Sequence, residues 1–413
     1  MEGQAVHNTG SMSDSYILSG GTLILSDRLL DGGLVVVADR AIRHVGGASL
    51  AEYLAANPGD RALPVEDCVG SIVAPRLVEM HIHGAFGIGF ESVRGGEDIL
   101  AVARGLESRG VGCFVPTILW DEKAVSRLID AIEESGLPQD VIPGIYIEGP
   151  FINPERKGGI NPPQIAKPDE KLCRKIVETT RGKLKIMALA PELPGVEALY
   201  PILREARVLV SLGHSGASAA VALPPPPFSV THLYNAMSGF DHRGGGLVNI
   251  ALSGLSTWVE LNADGIHVNA TSMKVASLCL PPEKLILTSD AVISAGLGYG
   301  DYTYFGKAVS SDSTGVRYRD TGTLIGSSKL GMEIAKSFVE AAGASLPDAV
   351  ASMSRAPSAA LGLSAGARLG IEEGSAADLF IWDKGLSVCR KPGAVGRTVN
   401  PATREISGKG TRK

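Results

Sequence analysis

Aromatic residues make up only 5% of the 413-residue chain. That leaves little for the stacking platforms on which single-stranded nucleic acids are held. Positive charge is not in excess: 39 Lys and Arg stand against 44 Asp and Glu, a formal net charge of −5. A nucleic-acid partner is not expected of this balance. The five cysteines, Cys68, Cys113, Cys173, Cys279 and Cys389, are widely spaced and form no CxxC pair. Their odd number and spacing argue against a disulfide framework and against a thiolate zinc site. No run of 18 apolar residues is present, so no membrane span is expected. Met1 to Ser15 is polar and lacks the apolar core of a secretory signal. The expected compartment is the cytoplasm, and residues 1–14 read as a disordered leader.

Core-forming residues are plentiful. Apolar types reach 44% and charged types 20%, which excludes a wholly disordered or coiled-coil chain. At about 150 residues per domain the length suggests two to three domains, although an α/β barrel can exceed 250 residues as one unit. Both ends are β-rich. Tyr16-Ile-Leu, Thr22-Leu-Ile-Leu and Gly33-Leu-Val-Val-Val read as strands, Ala41-Ile-Arg-His-Val follows an Asp39-Arg40 turn, and Ser71-Ile-Val-Ala-Pro closes this region. Residues 50–57 suit a short helix. Near the other end, Arg368-Leu-Gly and Asp378-Leu-Phe-Ile-Trp again read as strands. A small β-sandwich built from residues 15–74 and 366–400 is expected.

The middle of the chain, residues 75–365, alternates short apolar runs with helical patterns. Cys113-Phe-Val-Pro-Thr, Val141 to Glu148, Leu184 to Ala190, Val208 to His214, Phe228 to His232, Trp258 to Asn262 and Lys284 to Asp290 are the runs. Helical patterns over 96–109, 122–135, 169–180, 196–206 and 270–279 separate several of them. About eight strand-plus-helix units fit a (β/α)8 TIM barrel better than a doubly wound sheet. The Pro224–Pro227 run reads as a stiff connector.

Ligand-type side chains recur where these runs end. His81-Ile82-His83 ends the first, and Glu148, His214, His232 and Asp290 end later ones. All strand C-termini of a barrel open on one face, where active sites lie. Positions i and i+2 of a strand share a side, so His81 and His83 can reach one ion. The set of imidazoles and carboxylates suits Zn²⁺, Fe²⁺ or Mn²⁺. Asp290 has a separate use. A carboxylate beside a divalent ion stays ionised, can take a proton from the attacking water and can hand it to a leaving amine.

These residues sit in segments that carry a resemblance. They are Ala74-Pro-Arg-Leu-Val-Glu-Met-His-Ile-His-Gly, Ile147-Glu-Gly-Pro-Phe-Ile-Asn-Pro-Glu-Arg-Lys-Gly, Leu212-Gly-His-Ser-Gly-Ala, Thr231-His-Leu-Tyr-Asn-Ala-Met, Asn262-Ala-Asp-Gly-Ile-His, Leu287-Thr-Ser-Asp-Ala and Gly322-Thr-Leu-Ile-Gly-Ser. With the closing Gly374-Ser-Ala-Ala-Asp-Leu-Phe-Ile-Trp-Asp, the chain from about 16 to 385 resembles the N-acetylglucosamine-6-phosphate deacetylase family of the amidohydrolase superfamily. The resemblance implies a metal-dependent deacetylase with a barrel and a small β-sandwich. Glu148, His214 and His232 would hold the principal ion. His81 and His83 would add a second site, so that one or two divalent ions bind per subunit, zinc first and Fe²⁺ or Mn²⁺ as alternatives. Asp290 would be the catalytic acid and base. Asn235 and Ala236 would contact the sugar phosphate. Arg243 and His267 match residues at the phosphate and sugar end, and the arginine would act across a homodimer.

One departure stands out. The family carries a histidine twelve residues after the Glu of Glu-Gly-Pro, and this chain has Ile160 there, followed by Asn161. An electrophilic contact worth about 3 kcal/mol in such sites is thereby removed. Asn161 could supply a donor, a second ion could polarise the carbonyl, or the substrate could be another N-acetyl amino sugar, unphosphorylated or biosynthetic. A silent sugar-phosphate-binding homologue is the remaining class, and it has no need of Asp290. Arg76, where the family has glycine, is expected to bear on turn geometry only.

Overall fold

The computed structural model describes residues 14–218, 220–363 and 370–393. The leader, apart from Asp14, lies outside these residues, as do Arg368 and Leu369 of the expected C-terminal strand and residues 366–367 and 394–400 of the expected sandwich. The first five strands are β1 (Tyr16–Ile24), β2 (Leu29–Ala38), β3 (Ala41–Gly46), β4 (Val65–Asp67) and β5 (Ile72–Pro75). The turn between β2 and β3 is Asp39 and Arg40, both at positive φ, as a two-residue hairpin requires.

Eight parallel strands follow. They are β6 (Leu77–Ile82), β9 (Val111–Ile118), β10 (Ile145–Glu148), β11 (Leu184–Leu189), β12 (Leu209–Leu212), β13 (Phe228–Val230), β14 (Trp258–Asn262) and β15 (Leu285–Thr288), hydrogen-bonded in chain order. A two-stranded hairpin, β7 (Gly84–Ala85) and β8 (Ile88–Gly89), lies between the first two. The barrel closes through a parallel bridge between Ile82 and Ala291, just past β15. Tyr146, Ile186, Ala188, Leu209 and Ile286 pack together inside it, while alternate residues such as Ile147, Met187 and Leu287 pack outward. This is the (β/α)8 barrel expected from the alternation of runs.

The outer helices follow from capped amphipathic segments. In Glu122–Ser135 the buried positions are Ala124, Val125, Leu128, Ile129, Ala131 and Ile132, one stripe at helical period. Asp121 caps this helix by accepting from the Ala124 N–H, and Gly136 ends it at φ 64°. Among the described residues no helix connects β12 to β13; the Pro224–Pro227 run lies there instead.

Beyond β15 comes an element the sequence patterns did not indicate. Strands β16 (Gly300–Tyr304), β17 (Lys307–Asp312), β18 (Gly315–Tyr318) and β19 (Leu324–Gly326) form an antiparallel sheet. Its apolar side joins Tyr304, Val309, Val316 and Tyr318 to Val292, so the sheet stands over the C-terminal mouth of the barrel.

Strands β20 (Leu379–Trp382) and β21 (Cys389–Arg390) return to the N-terminal sheet, where β20 pairs with β5. The N-terminal half of β1 pairs with β4 and its C-terminal half with β5. The sheet therefore bends at Gly20 and Gly21 and wraps a core of residues that includes Leu18, Leu23, Val35, Ile42, Val73 and Ile381. The first residue of β3, Ala41, also bridges Ala376 in the segment that leads into β20, so the two ends of the chain meet a second time. This is the sandwich built from both termini.

The expectation for Arg76 is corrected. The side chain is buried between sandwich and barrel, and its Nη1 lies 2.7 Å from Asp378 Oδ2 and 4.0 Å from Asp140 Oδ2. It ties the two parts together electrostatically, a role that a turn residue does not have. Gly112 makes room for it: a Cβ there would meet Arg76 Cδ at 3.0 Å.

Candidate active site

The barrel brings His81, His83, Glu148, His214, His232 and Asp290 together at its C-terminal mouth. Period-2 geometry does the first part of the work. Tyr146 and Glu148 share the inner face of β10, and Ile286, Thr288 and then Asp290 follow the same face of β15. Local backbone does the second part. His214, His232 and Asp290 each lie two residues past a strand end with φ of 47°, 29° and 50°. Non-glycine residues reach this left-handed region at a steric cost. Of the twelve described non-glycine residues at positive φ, Tyr234, Ala236 and Phe305 also line or border the mouth. Half of such strain is thus concentrated in one place, as functional sites tend to do.

Glu148 is central. Its Oε1 lies 3.0 Å from His214 Nε2 and 3.0 Å from His232 Nε2, and the two imidazole nitrogens are 3.1 Å apart. Its Oε2 lies 3.2 Å from His83 Nε2, which is 3.3 Å from His81 Nε2. Two groups capable of holding a metal ion, His81 with His83 and Glu148, and Glu148 with His214 and His232, share this carboxylate. Burial pushes the Glu148 carboxyl up, but His214, His232 and His83 outweigh that and hold it well below the usual carboxylate range.

The donor chemistry fits divalent ions. His214 Nδ1–H donates to the Arg156 carbonyl at 2.8 Å, and His81 Nδ1–H donates to Glu260 Oε2 at 2.9 Å. Each bond leaves the Nε2 lone pair aimed at the cluster. Lone pairs of nitrogen and carboxylate oxygen then face one another in a buried space, an arrangement that repels itself unless a cation lies between. Ligand bonds of about 2.0–2.1 Å give polyhedron edges of roughly 2.8–3.4 Å, which the separations within the Glu148–His214–His232 group match.

Asp290 lies beside the second group. Its Oδ1 is 3.5 Å from His83 Nε2 and 3.7 Å from His81 Nε2. Its Oδ2 accepts from Asn262 Nδ2 at 3.2 Å, and Asn262 Oδ1 accepts from Thr288 in turn. His267 Nε2 is 3.9 Å from the same Oδ2, and its Nδ1 is bonded to Asp264 at 2.8 Å. Burial lowers the affinity of His267 for a proton, but the Asp264 bond and charge raise it above the ordinary value.

His83, Glu148, His214, His232, His267 and Asp290 line a cleft of about 190 Å³, together with Asn235, Ala236 and Ile160. Asn235 Nδ2 donates to the carbonyls of His232 and Leu233. Arg243 lies elsewhere: it is exposed on the loop after β13, where its backbone N–H donates to Asp241. Asn161 does not fill the gap left by Ile160. Its Oδ1 accepts from Lys307 Nζ at 3.0 Å, at the rim.

The supporting residues were not singled out by sequence reasoning. Glu260, Asp264, Asn262 and the Arg156 carbonyl orient the central groups. Glu192 accepts from Asn153, Ser215 and the Gly216 N–H, which fastens the loop after Glu148 to the loop after His214. Glu260 carried a signal: it is a carboxylate inside an otherwise apolar strand, two residues from Asn262 on the same face.

The fold and these convergent ligands define a class. Residues 72–412 match the amidohydrolase family, and the chain belongs to it. Within that class the chain is a member of the N-acetylglucosamine-6-phosphate deacetylase family. It is 32% identical over 378 residues to N-acetylglucosamine-6-phosphate deacetylase of Bos taurus, covering 87% of this chain and 91% of that protein. It is 30% identical over 327 residues to N-acetylgalactosamine-6-phosphate deacetylase of Escherichia coli O157:H7, covering 77% and 85%. Its fold matches a variant of N-acetyl-D-glucosamine-6-phosphate deacetylase from Mycobacterium smegmatis, in complex with N-acetyl-D-glucosamine-6-phosphate, with a TM-score of 0.77 at 24% identity over 91% of this chain and 97% of that one. No helix among the described residues is long and apolar enough to cross a membrane.

Proposed function

We propose that the chain hydrolyses the N-acetyl group of N-acetylglucosamine 6-phosphate, giving glucosamine 6-phosphate and acetate. The observation that carries this reading is Asp290, an anchored carboxylate placed within 4 Å of both His81 and His83 at the edge of the ligand cluster. A divalent cation, with Zn²⁺ first and Fe²⁺ or Mn²⁺ as alternatives, would supply the charge that polarises the amide carbonyl and lowers the pKa of the attacking water. Glu148, His214 and His232 would hold one ion, and His81 and His83 with Glu148 a second.

Asp290 then carries the proton. It accepts one from the water as the new C–O bond forms and delivers it to the amide nitrogen as the C–N bond breaks. Asn262 holds Oδ2, which leaves Oδ1 for this traffic. His267, kept proton-rich by Asp264, donates to a sugar hydroxyl. Asn235 and Ala236 take the phosphate end, and Arg243 reaches a neighbouring subunit's phosphate in a homodimer, where its guanidinium fork suits the anion. The five unpaired cysteines suit a reducing compartment, the cytoplasm.

The test is kcat/KM for N-acetylglucosamine 6-phosphate beside N-acetylglucosamine and the galactosamine epimer, with each metal supplied. A preference of about 100-fold or more for the phosphorylated glucosamine derivative is expected. Metal-loaded protein that leaves the N-acetyl amide of the phosphorylated sugar uncleaved would reject the reading.

A further inference from the structure

Ile160 stands where the family's histidine would face the substrate, and the structure gives it apolar company. It is 5% exposed and packs with Leu119 and Ile152, with Phe305 against them. Leu119, Ile160, Phe305 and Ile325 all line the cleft that holds the ligand cluster. The loop bearing Ile160 is tied to the sheet above it by the Lys307–Asn161 bond, and a Cβ at the adjacent Gly159 would meet Ile325 at 3.0 Å. The wall is therefore built from two elements locked together.

Strand order says which part of the substrate meets this wall. In an eight-stranded barrel β9 lies across from β13, and β10 across from β14. Leu119 follows β9 and Ile160 follows β10. Asn235 and Ala236 follow β13, His267 follows β14 and Asp290 follows β15. On the proposed reading, the polar half of the mouth would receive the amine nitrogen and its sugar. The carbonyl carbon sits over the ligands between the halves. Its remaining substituent, the acyl chain, points away from the nitrogen and toward Leu119 and Ile160.

We infer that Ile160 and Leu119 form an apolar acyl subsite, which makes this enzyme a deacylase of N-acyl glucosamine 6-phosphates with chains longer than acetyl. Each methylene placed on such a wall leaves water and gains binding energy. An imidazole at position 160 would instead offer a proton donor to the carbonyl and a polar surface to the chain. The inference rests on the proposed deacetylase reading.

The experiment measures kcat/KM for N-acetyl-, N-propionyl- and N-butyryl-glucosamine 6-phosphate on the metal-loaded wild type, Ile160→His and Ile160→Ala, with melting temperatures taken in parallel. The wild type should hydrolyse the propionyl compound within about fivefold of the acetyl compound, and Ile160→His should lower that ratio about tenfold, the scale of discrimination one methylene supports. Should the histidine variant melt early, Ile160→Ala carries the test: a wider subsite should raise the butyryl-to-acetyl ratio about threefold or more. Acetyl hydrolysis with a propionyl ratio that none of the substitutions moves would overturn the subsite and leave the deacetylase reading intact. Failure to hydrolyse any of the three would bring down both.

Discussion

Asp290 and His81 are joined at the seam that closes the barrel. The Asp290 N–H donates to the His81 carbonyl at 3.0 Å, and the side-chain Oδ1 and Nε2 lie 3.7 Å apart. The backbone bond at the barrel seam thereby also sets the distance between the Asp290 carboxylate and the His81 imidazole. Glu79, fully buried beneath them, accepts from the N–H groups of both His81 and Ser289, so the seam is stitched on both sides.

Replacing Asp290 with Asn should keep the fold and metal content but lower kcat by about 10²–10⁴, the range general acid–base catalysis contributes. Single-turnover kinetics with metal analysis would check it. Normal turnover would remove Asp290 from the mechanism.

Glu260 acts through His81. Glu260→Ala should weaken binding at the second metal group by about 10–100-fold, since partners that orient a ligand imidazole matter on that scale. Glu260→Gln, which keeps an acceptor for Nδ1–H, should recover part of the loss. Metal titration against a chromophoric chelator reads this directly, and equal affinities in all three proteins would contradict it.

Removing divalent ions with a chelator should lower the melting temperature by about 5 °C or more, because an ion bound only by the folded state stabilises it. Adding the ion back should restore it. An unchanged melting curve would show that the facing lone pairs do not depend on a cation.

Arg243→Ala should raise KM for N-acetylglucosamine 6-phosphate about tenfold or more while leaving KM for N-acetylglucosamine unmoved, since only the phosphate needs the guanidinium. Parallel effects on both substrates would refute the phosphate role.

Arg76→Gly should destabilise the chain by about 2 kcal/mol. Breaking a dry pair by removing one partner costs about 3–5 kcal/mol, and Asp378, with its side chain 29% exposed, recovers part of that from water. Urea unfolding would show the change. Unaltered stability would mean that the pair does not hold sandwich and barrel together.

Much of this molecule is legible in the primary structure because two kinds of signal are local. Apolar runs alternating with helical stripes specify a parallel sheet wrapped by helices. Side chains at the ends of successive runs must then meet, because parallel strands of a barrel end on one face. His81, His83, Glu148, His214, His232 and Asp290 could be named as a set for that reason alone. The sheet over 300–326 escaped notice because its strands are short, half-exposed and weakly alternating.

The sequence by itself determined the barrel, the sandwich from both termini and the set of imidazoles and carboxylates that converge at the barrel mouth. Tertiary structure alone decided three other matters. It put Arg76 between sandwich and barrel, since the pairing of Arg76 with Asp378 spans 302 positions of chain and no local pattern encodes it. It gave Glu260 and Asp264 to particular imidazoles, a matter of which neighbouring groups come within hydrogen-bond reach. It turned Ile160 into the cleft and Asn161 out to Lys307, because only the packing of two distant elements selects which of the two neighbours faces the cleft.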